Sequence, residues 1–208
     1  MDLAQGQGAL RSISDAESCP MGIHQIQVRY DAAADRLLLQ VRTTEAEIYA
    51  VWLTRRMTSR LYAPFRQTVA SVGVAQASPQ ALPVPEAREM LEQAALQRPL
   101  PGADFRQAFA ATDSTRPLGA EPMLPTAVDL RPQPGGGLML ALREDQGRRL
   151  DMTLTADLAT ALLRLVDAAL QQSEWNLPMP SQAAAATAAV SVEGGEPGID
   201  PAKGRLLN

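Results

Sequence analysis

The residues of this sequence best placed by type and spacing to bind a ligand are arginines. Arg56 and Arg60 share one face of a predicted helix, with Arg55 beside them. Like charges so placed disfavour an isolated helix, and cations near a helix N-terminus oppose its macrodipole. The cluster therefore favours an anionic partner, although a solvated basic face is the alternative. With Arg29 and Arg42, at outward positions of predicted strands, these arginines are the candidate contacts for an anion or a nucleic acid.

The other residues whose side chains could act in catalysis or bind a metal show no catalytic, cofactor-binding or metal-binding pattern. The single cysteine, Cys19, and the single histidine, His24, have no ligand or triad partner at a recognisable spacing. Acids such as Asp31 and Asp35 occupy predicted turns, where their side chains suit tight backbone geometry. We therefore predict no catalytic, cofactor-binding or metal-binding residue, and expect a binding or adaptor protein that is not an enzyme and needs no cofactor.

Composition places the chain among ordinary globular proteins. Its 208 residues are 46% hydrophobic and 20% charged, with a net charge of -4, so the total charge attracts neither nucleic acid nor an anionic membrane. One cysteine cannot form an internal disulfide, and no apolar run reaches the roughly 18 residues of a membrane span. We expect a cytoplasmic location and no membrane partner.

The architecture is predicted by an internal duplication. Residues 37–70 align without a gap onto residues 138–171, and most apolar positions stay apolar. The identical pairs are Leu37 and Leu138, Leu39 and Leu140, Arg42 and Arg143, Leu53 and Leu154, Thr54 and Thr155, and Leu61 and Leu162. Each copy would need to bury a sheet face and a helix. The predicted fold class is α+β: a tandem βββα repeat with antiparallel sheets, helices packed on one face, and the units related by a pseudo-two-fold axis.

The spacing of apolar residues predicts the strands of the first copy, and a capping residue predicts the start of its helix. Apolar residues alternate with polar ones around Val28, and alternation returns near Leu39 and Val51, which predicts three strands. Thr54 suits a helix N-cap because its hydroxyl can accept an otherwise unpaired backbone N–H. Pro64 removes one helical hydrogen bond, so we expect the helix to kink or stop near Tyr62.

Composition changes along the chain predict five segments. They are a flexible N-terminus (1–22), a first βββα unit (23–72), a Pro/Ala-rich linker with a short helix (73–124), a second unit (125–180) and a disordered tail (181–208).

The two copies differ most on the second face of the sheet. In the first copy Leu38, Ile48 and Trp52 make this face apolar, whereas the second copy has polar residues at most matching positions. Either the linker or the other repeat covers this face, or it binds a partner, since exposed apolar patches rarely persist on monomers. These three residues are the candidate partner surface, with a homodimer as one form of association.

Four short stretches of the sequence carry a resemblance. The order Tyr30-Asp31, Asp35-Arg36-Leu37-Leu38-Leu39 and Trp52-Leu53-Thr54-Arg55-Arg56 resembles a group of uncharacterised proteobacterial proteins, and Glu174-Trp175 extends the likeness more weakly. This resemblance implies no activity. In layout alone, a sheet followed by a helix, the unit is also similar to PUR-type binders of single-stranded nucleic acid.

Two functions remain open at this point. The leading hypothesis is a non-enzymatic binding or adaptor protein acting through protein-protein association. The alternative is a single-stranded nucleic-acid-binding protein that uses the arginine cluster of the first repeat.

Overall fold

A computed structural model describes residues 22–77, 85–100, 107–112, 114–145 and 147–177. Residues 1–21 of the predicted flexible N-terminus, and the whole of the predicted tail at 181–208, lie outside these ranges.

The first unit contains three strands and a long helix. Strands β1 (Ile23–Asp31), β2 (Arg36–Thr43) and β3 (Ile48–Thr54) form an antiparallel sheet in that order, and helix α1 (Arg55–Ala77) follows. Alternate strand residues point to opposite faces, which places the aligned cross-strand positions Val28, Leu39 and Val51 on one apolar face.

Helix α1 begins where the sequence predicts and continues further. The Thr54 hydroxyl accepts the Met57 backbone N–H at 3.2 Å, as an N-cap should. The helix does not end at Pro64 but runs through it to Ala77. Its residues Tyr62, Phe65 and Val69 are buried on both sides of the proline, so core packing offsets the missing hydrogen bond.

The second unit repeats this order. Strands β4 (Ala127–Gln133), β5 (Gly137–Arg143) and β6 (Arg149–Thr155) form the second antiparallel sheet, and Thr155 caps the next helix. This arrangement confirms the predicted tandem βββα fold of the α+β class.

Both units contribute to one hydrophobic core. The helix of the second unit, which is the last helix of the chain (Ala156–Ser173), lies alongside β1, and α1 lies alongside β4. The side chains around a small central void come from both sheets and both helices: Leu39, Leu53, Leu61, Tyr62, Phe65, Leu140, Leu142, Leu162 and Val166. Each unit therefore buries apolar surface of the other.

The connection between the units is anchored to both of them. It contains helix α2 (Pro85–Gln97), so the last helix is α3. Helix α2 approaches α1 at Gly73, where an added Cβ would lie 2.9 Å from the Cβ of Ala95, so only glycine permits this contact. Arg164 of α3 donates to the carbonyl of Leu96 at 3.0 Å, which ties the end of α2 to the second unit.

The part of the connection before β4 lies along the outer edge of β3. Thr115 and Met123 bridge to Glu47 and Val51 in parallel orientation. Arg148, in the turn before β6, forms an ion pair with Glu144 and donates to two carbonyls of the same connection, those of Leu118 and Glu121, at 3.1 Å each. Met123 is fully buried, so this segment contributes one side chain to the core.

None of the helices in the described ranges is long and apolar enough to cross a membrane.

Candidate binding cleft

The predicted partner surface is largely buried. Leu38 and Ile48 are 5% and 1% exposed, and Trp52 is half-buried. Association through these residues stays a prediction, and it would require Leu38 and Ile48 to become accessible.

One end of that face is covered by the connection. Gln25, Arg42 and Ile48 form a cross-strand row on the outer face. The Gln25 side chain hydrogen-bonds the backbone of Ala108 and Ala110, at one end of the row, and the Ile48 N–H donates to the carbonyl of Thr115 at the other. Residues on both sides of the row, Ala108 and Ala110 at one end and Thr115 at the other, therefore belong to the connection, which accounts for the burial of Ile48.

The five predicted arginines are distributed over two regions. Arg55, Arg56 and Arg60 are exposed on the first turns of α1. Arg29 is also exposed, but it pairs with Asp31 at 3.4 Å. Arg42 lies near the opposite end of the sheet, where its Nε is buried without a hydrogen-bond partner among the described residues.

An open cleft of about 700 Å³ lies where α1 meets the end of α3. Its lining residues are Tyr62, Asp167, Leu170, Gln171, Glu174, Trp175, Asn176 and Leu177, and we call it the α1–α3 cleft. Tyr62 and Trp175 are buried, Leu170 and Leu177 are half-buried, and Gln171 and Glu174 are exposed. The cleft therefore combines an aromatic floor, apolar walls and a polar rim.

Behind the cleft, the first sheet holds Trp175 in place. The Trp175 indole N–H and the Tyr30 hydroxyl both donate to the same oxygen of Asp35, at 2.7 and 2.8 Å. The two aromatic rings meet edge to face with centroids 5.8 Å apart, and Arg55 donates to the Trp175 carbonyl at 3.2 Å. This Tyr30–Asp35–Arg55–Trp175 cluster joins the end of the second unit to the first.

The donors in this cluster change the ionisation of its acid. The hydrogen bond from Trp175, followed by that from Tyr30, lowers the pKa of Asp35 below its ordinary value. The hydrogen bond to Asp35 in turn raises the pKa of Tyr30. Asp35 is therefore a carboxylate and Tyr30 a neutral hydroxyl at neutral pH.

A second hydrogen bond lies inside the cleft. The Tyr62 hydroxyl donates to Asp167 at 2.7 Å. Burial first, and this hydrogen bond second, raise the pKa of Tyr62 to about 12. Tyr62 thus remains protonated at neutral pH and is a poor general base.

The backbone around the cleft is unusual as well. Asp35, Glu174 and Asn176 have φ angles of 48°, 54° and 45°, in the left-handed region. Asp and Asn tolerate this region better than most residues do, but it still costs free energy. Glu174 terminates α3 in this conformation and so turns the chain to bring Trp175 under the cleft.

The α1–α3 cleft was not predicted from the sequence, although the four residues of the cluster behind it stand in stretches that the sequence singled out. Tyr30, Asp35, Arg55 and Trp175 come one each from the four stretches on which the resemblance was predicted, which stays a prediction, and the structure brings them into contact. In the described part of the chain, no group of three or more His, Cys, Asp or Glu residues could hold a metal ion. Neither a protein-family model, nor a curated protein, nor a solved structure matches this chain. Interpretation of the cleft therefore depends on its own geometry.

Proposed function

We propose that this protein is a non-enzymatic binding or adaptor protein that holds a segment of a partner protein in the α1–α3 cleft. The observation that carries the proposal is an open cleft of about 700 Å³ in which the Tyr62 hydroxyl and the Trp175 N–H are already hydrogen-bonded within the protein. Clefts of this size commonly hold ligands, which bury apolar groups and meet a few placed polar ones. Here the half-buried Leu170 and Leu177 supply the apolar surface.

The bonding within the cleft supports binding rather than catalysis. Tyr62 is protonated and engaged with Asp167, and the Trp175 N–H is engaged with Asp35. A general acid-base pair needs groups whose pKa values lie near the working pH and which can reach a substrate. The raised pKa of Tyr62 and the lowered pKa of Asp35 move both groups away from that range.

Charge indicates the chemistry of the partner. The lining residues include two acids, Asp167 inside the cleft and Glu174 on the rim, and no lysine or arginine, while Arg66 lies beside Tyr62 outside the lining. An extended partner segment with apolar side chains and at least one basic residue would complement this surface.

A peptide selection tests the location of this site. Random peptides displayed on phage are selected on the wild-type protein, and their affinities are compared for Glu174→Lys and Glu89→Lys. Both acids are exposed, and the two changes alter net charge equally, but Glu89 lies on α2 outside the cleft lining. We expect enriched basic-apolar peptides to bind Glu174→Lys about two- to fivefold more weakly and Glu89→Lys unchanged.

Two results would contradict the proposal. Equal weakening by both variants would show that the peptides respond to net charge and not to the cleft. Turnover of a cofactor-dependent or hydrolase substrate that is lost on a single polar substitution would overturn the non-enzymatic assignment.

A second candidate function, binding of single-stranded nucleic acid, is favoured by the exposed arginines of α1. Arg56 and Arg60 form no ion pair with any acid in the described ranges, and the first turn of α1 contains no acid. Arg55 donates one N–H to the Trp175 carbonyl, but its side chain remains exposed. Three phosphate contacts are therefore available on this surface.

An oligonucleotide titration tests this second candidate. With three contacts, the logarithm of the binding constant should fall with the logarithm of salt concentration at a slope of about -2. Fluorescence anisotropy at two salt concentrations measures it, with Arg56→Ala/Arg60→Ala compared against Arg88→Ala/Arg131→Ala, which removes the same charge from exposed positions elsewhere. Absence of binding at low salt would eliminate the candidate, and equal losses in both double variants would eliminate the site.

A further inference from the structure

The outer edge of β3 is closed by the chain itself. Trp52 N–H donates to the carbonyl of Met123 at 2.8 Å, and Met123 N–H donates to the carbonyl of Ala50 at 2.9 Å. Ile48 and Thr115 contribute a further bond of 2.8 Å. Together these bonds form two isolated parallel bridges to the first sheet and satisfy backbone groups that would otherwise face solvent.

The corresponding edge of the second sheet has no such bridge among the described residues. The duplication maps Ala50 onto Asp151 and Trp52 onto Thr153, both in β6. Strand register agrees, because Trp52 lies opposite Leu38 and Thr153 lies opposite Met139, the counterpart of Leu38. Within the described ranges β6 pairs only with β5. An open strand edge is a template for another strand, and proteins normally cover it.

The sequence before β1 resembles the segment that bridges to β3. Aligning Pro20 and Met21 with Pro122 and Met123 also aligns the core residues of β1 and β4, Ile26 with Val128 and Val28 with Leu130. The Pro-Met pair thus stands at the same distance before the matched apolar residues of the following strand in both copies. Residues 1–21 lie outside the described ranges, so the likeness of Met21 to the fully buried Met123 concerns sequence alone.

Contacts at the two hairpin turns agree with this alignment. The Gly22 carbonyl accepts the N–H of Thr44, in the turn between β2 and β3, at 2.8 Å. Its counterpart Leu124 donates to Glu144, in the turn between β5 and β6, at 3.3 Å. The chain therefore meets the hairpin turn of its own unit at the same position in both copies.

From these observations we propose that residues 19–21 dock on the outer edge of β6 in the same chain. The Thr153 N–H would donate to the Met21 carbonyl, and the Met21 N–H to the Asp151 carbonyl. This pairing reproduces on the second sheet the bonds that Met123 makes on the first. The relative placement of the units supports it, since α3 lies alongside β1 just as α1 lies alongside β4.

Amide hydrogen exchange followed by NMR tests the docking on the full chain. The Thr153 amide should exchange slowly, as we also expect of the Trp52 amide, and Met21→Asp should make the Thr153 amide exchange about tenfold faster or more. Trp52 is the internal reference, because its acceptor Met123 is unchanged. Leu3→Asp is the matched control and should leave both amides protected. Rapid exchange of Thr153 in the wild-type protein, or equal effects of Met21→Asp and Leu3→Asp, would overturn the proposal.

A spin label distinguishes docking of residues 19–21 within one chain from docking of the same segment on a second copy. Cys19 is the single cysteine and accepts a nitroxide without further changes. We expect the label to broaden the amide signals of Asp151 and Thr153 within the labelled chain. In a mixture, isotope-labelled Cys19→Ser chains without nitroxide should keep sharp signals at these positions. Broadening of these signals in the Cys19→Ser chains of the mixture would show that the segment docks on a second copy and would contradict the same-chain proposal.

Discussion

Replacing Met123 with alanine is expected to lower the free energy of unfolding by about 2 to 5 kcal/mol. Met123 is fully buried in the common core, although it belongs to no named helix or strand. Truncation removes its buried methylene and sulfur atoms and leaves a cavity that the rigid sheet on one side cannot fill. Urea denaturation followed by circular dichroism measures the loss.

Met90→Ala is the matched control for this substitution. It removes the same atoms from a side chain that is 74% exposed on α2. Its effect should stay within about 0.5 kcal/mol. If Met123→Ala were equally mild, the segment before β4 would not be part of the core in solution.

Replacing Trp175 with alanine is expected to cost about 3 to 5 kcal/mol of unfolding free energy. Trp175 is 3% exposed and contacts the first unit through both its ring and its backbone. Its removal would therefore loosen the attachment of the end of α3 to β1 and α1, in addition to opening the floor of the α1–α3 cleft. Urea denaturation again measures the change.

Trp175→Phe separates the ring from its N–H group. The phenyl ring keeps much of the contact with Tyr30, so the loss of stability should be smaller than for alanine. Because the variant removes the largest cause of the lowered pKa of Asp35, that pKa should rise toward its ordinary value. An NMR titration of the Asp35 carboxyl measures the shift, and an unchanged pKa would contradict the role assigned to the indole N–H.

The pH dependence of stability follows from the same shift. The folded-state pKa of Asp35 lies below its unfolded value, so its contribution is present above pH 3.8 and is lost as pH falls through the folded pKa. In Trp175→Phe the two pKa values approach each other, and this acid-linked part of the stability should shrink. Denaturation curves of wild type and variant at a series of acidic pH values make the comparison.

Much of the local structure was predictable because it depends on neighbouring residues. Period-two patterns identified the strands, Thr54 and Thr155 were recognised as helix caps, and the duplication predicted two βββα units. The sequence predicted that α1 would stop or kink near Tyr62, but the helix continues to Ala77. Burial of Tyr62 and Phe65 against the second unit stabilises the helix there, and a pattern confined to α1 contains no information on that packing.

The candidate site was predictable only in part. The sequence identified the exposed arginines of α1, but it assigned Leu38 and Ile48 to a face that could bind a partner. Both faces of that sheet are apolar, so alternation could not decide which residues a distant segment covers. The α1–α3 cleft was missed because Asp35 and Trp175 are far apart in the chain and meet only through packing.

By itself, the sequence determined the order of strands and helices, the positions of the helix caps and the repetition of one unit. These features depend on backbone hydrogen bonds and on side chains a few positions apart. Tertiary structure decided that the two units share one core, that Met123 closes the edge of β3, and that Trp175 lies against Tyr30 and Asp35. Those contacts join residues distant in sequence, and burial of apolar surface selects among the arrangements that local patterns permit.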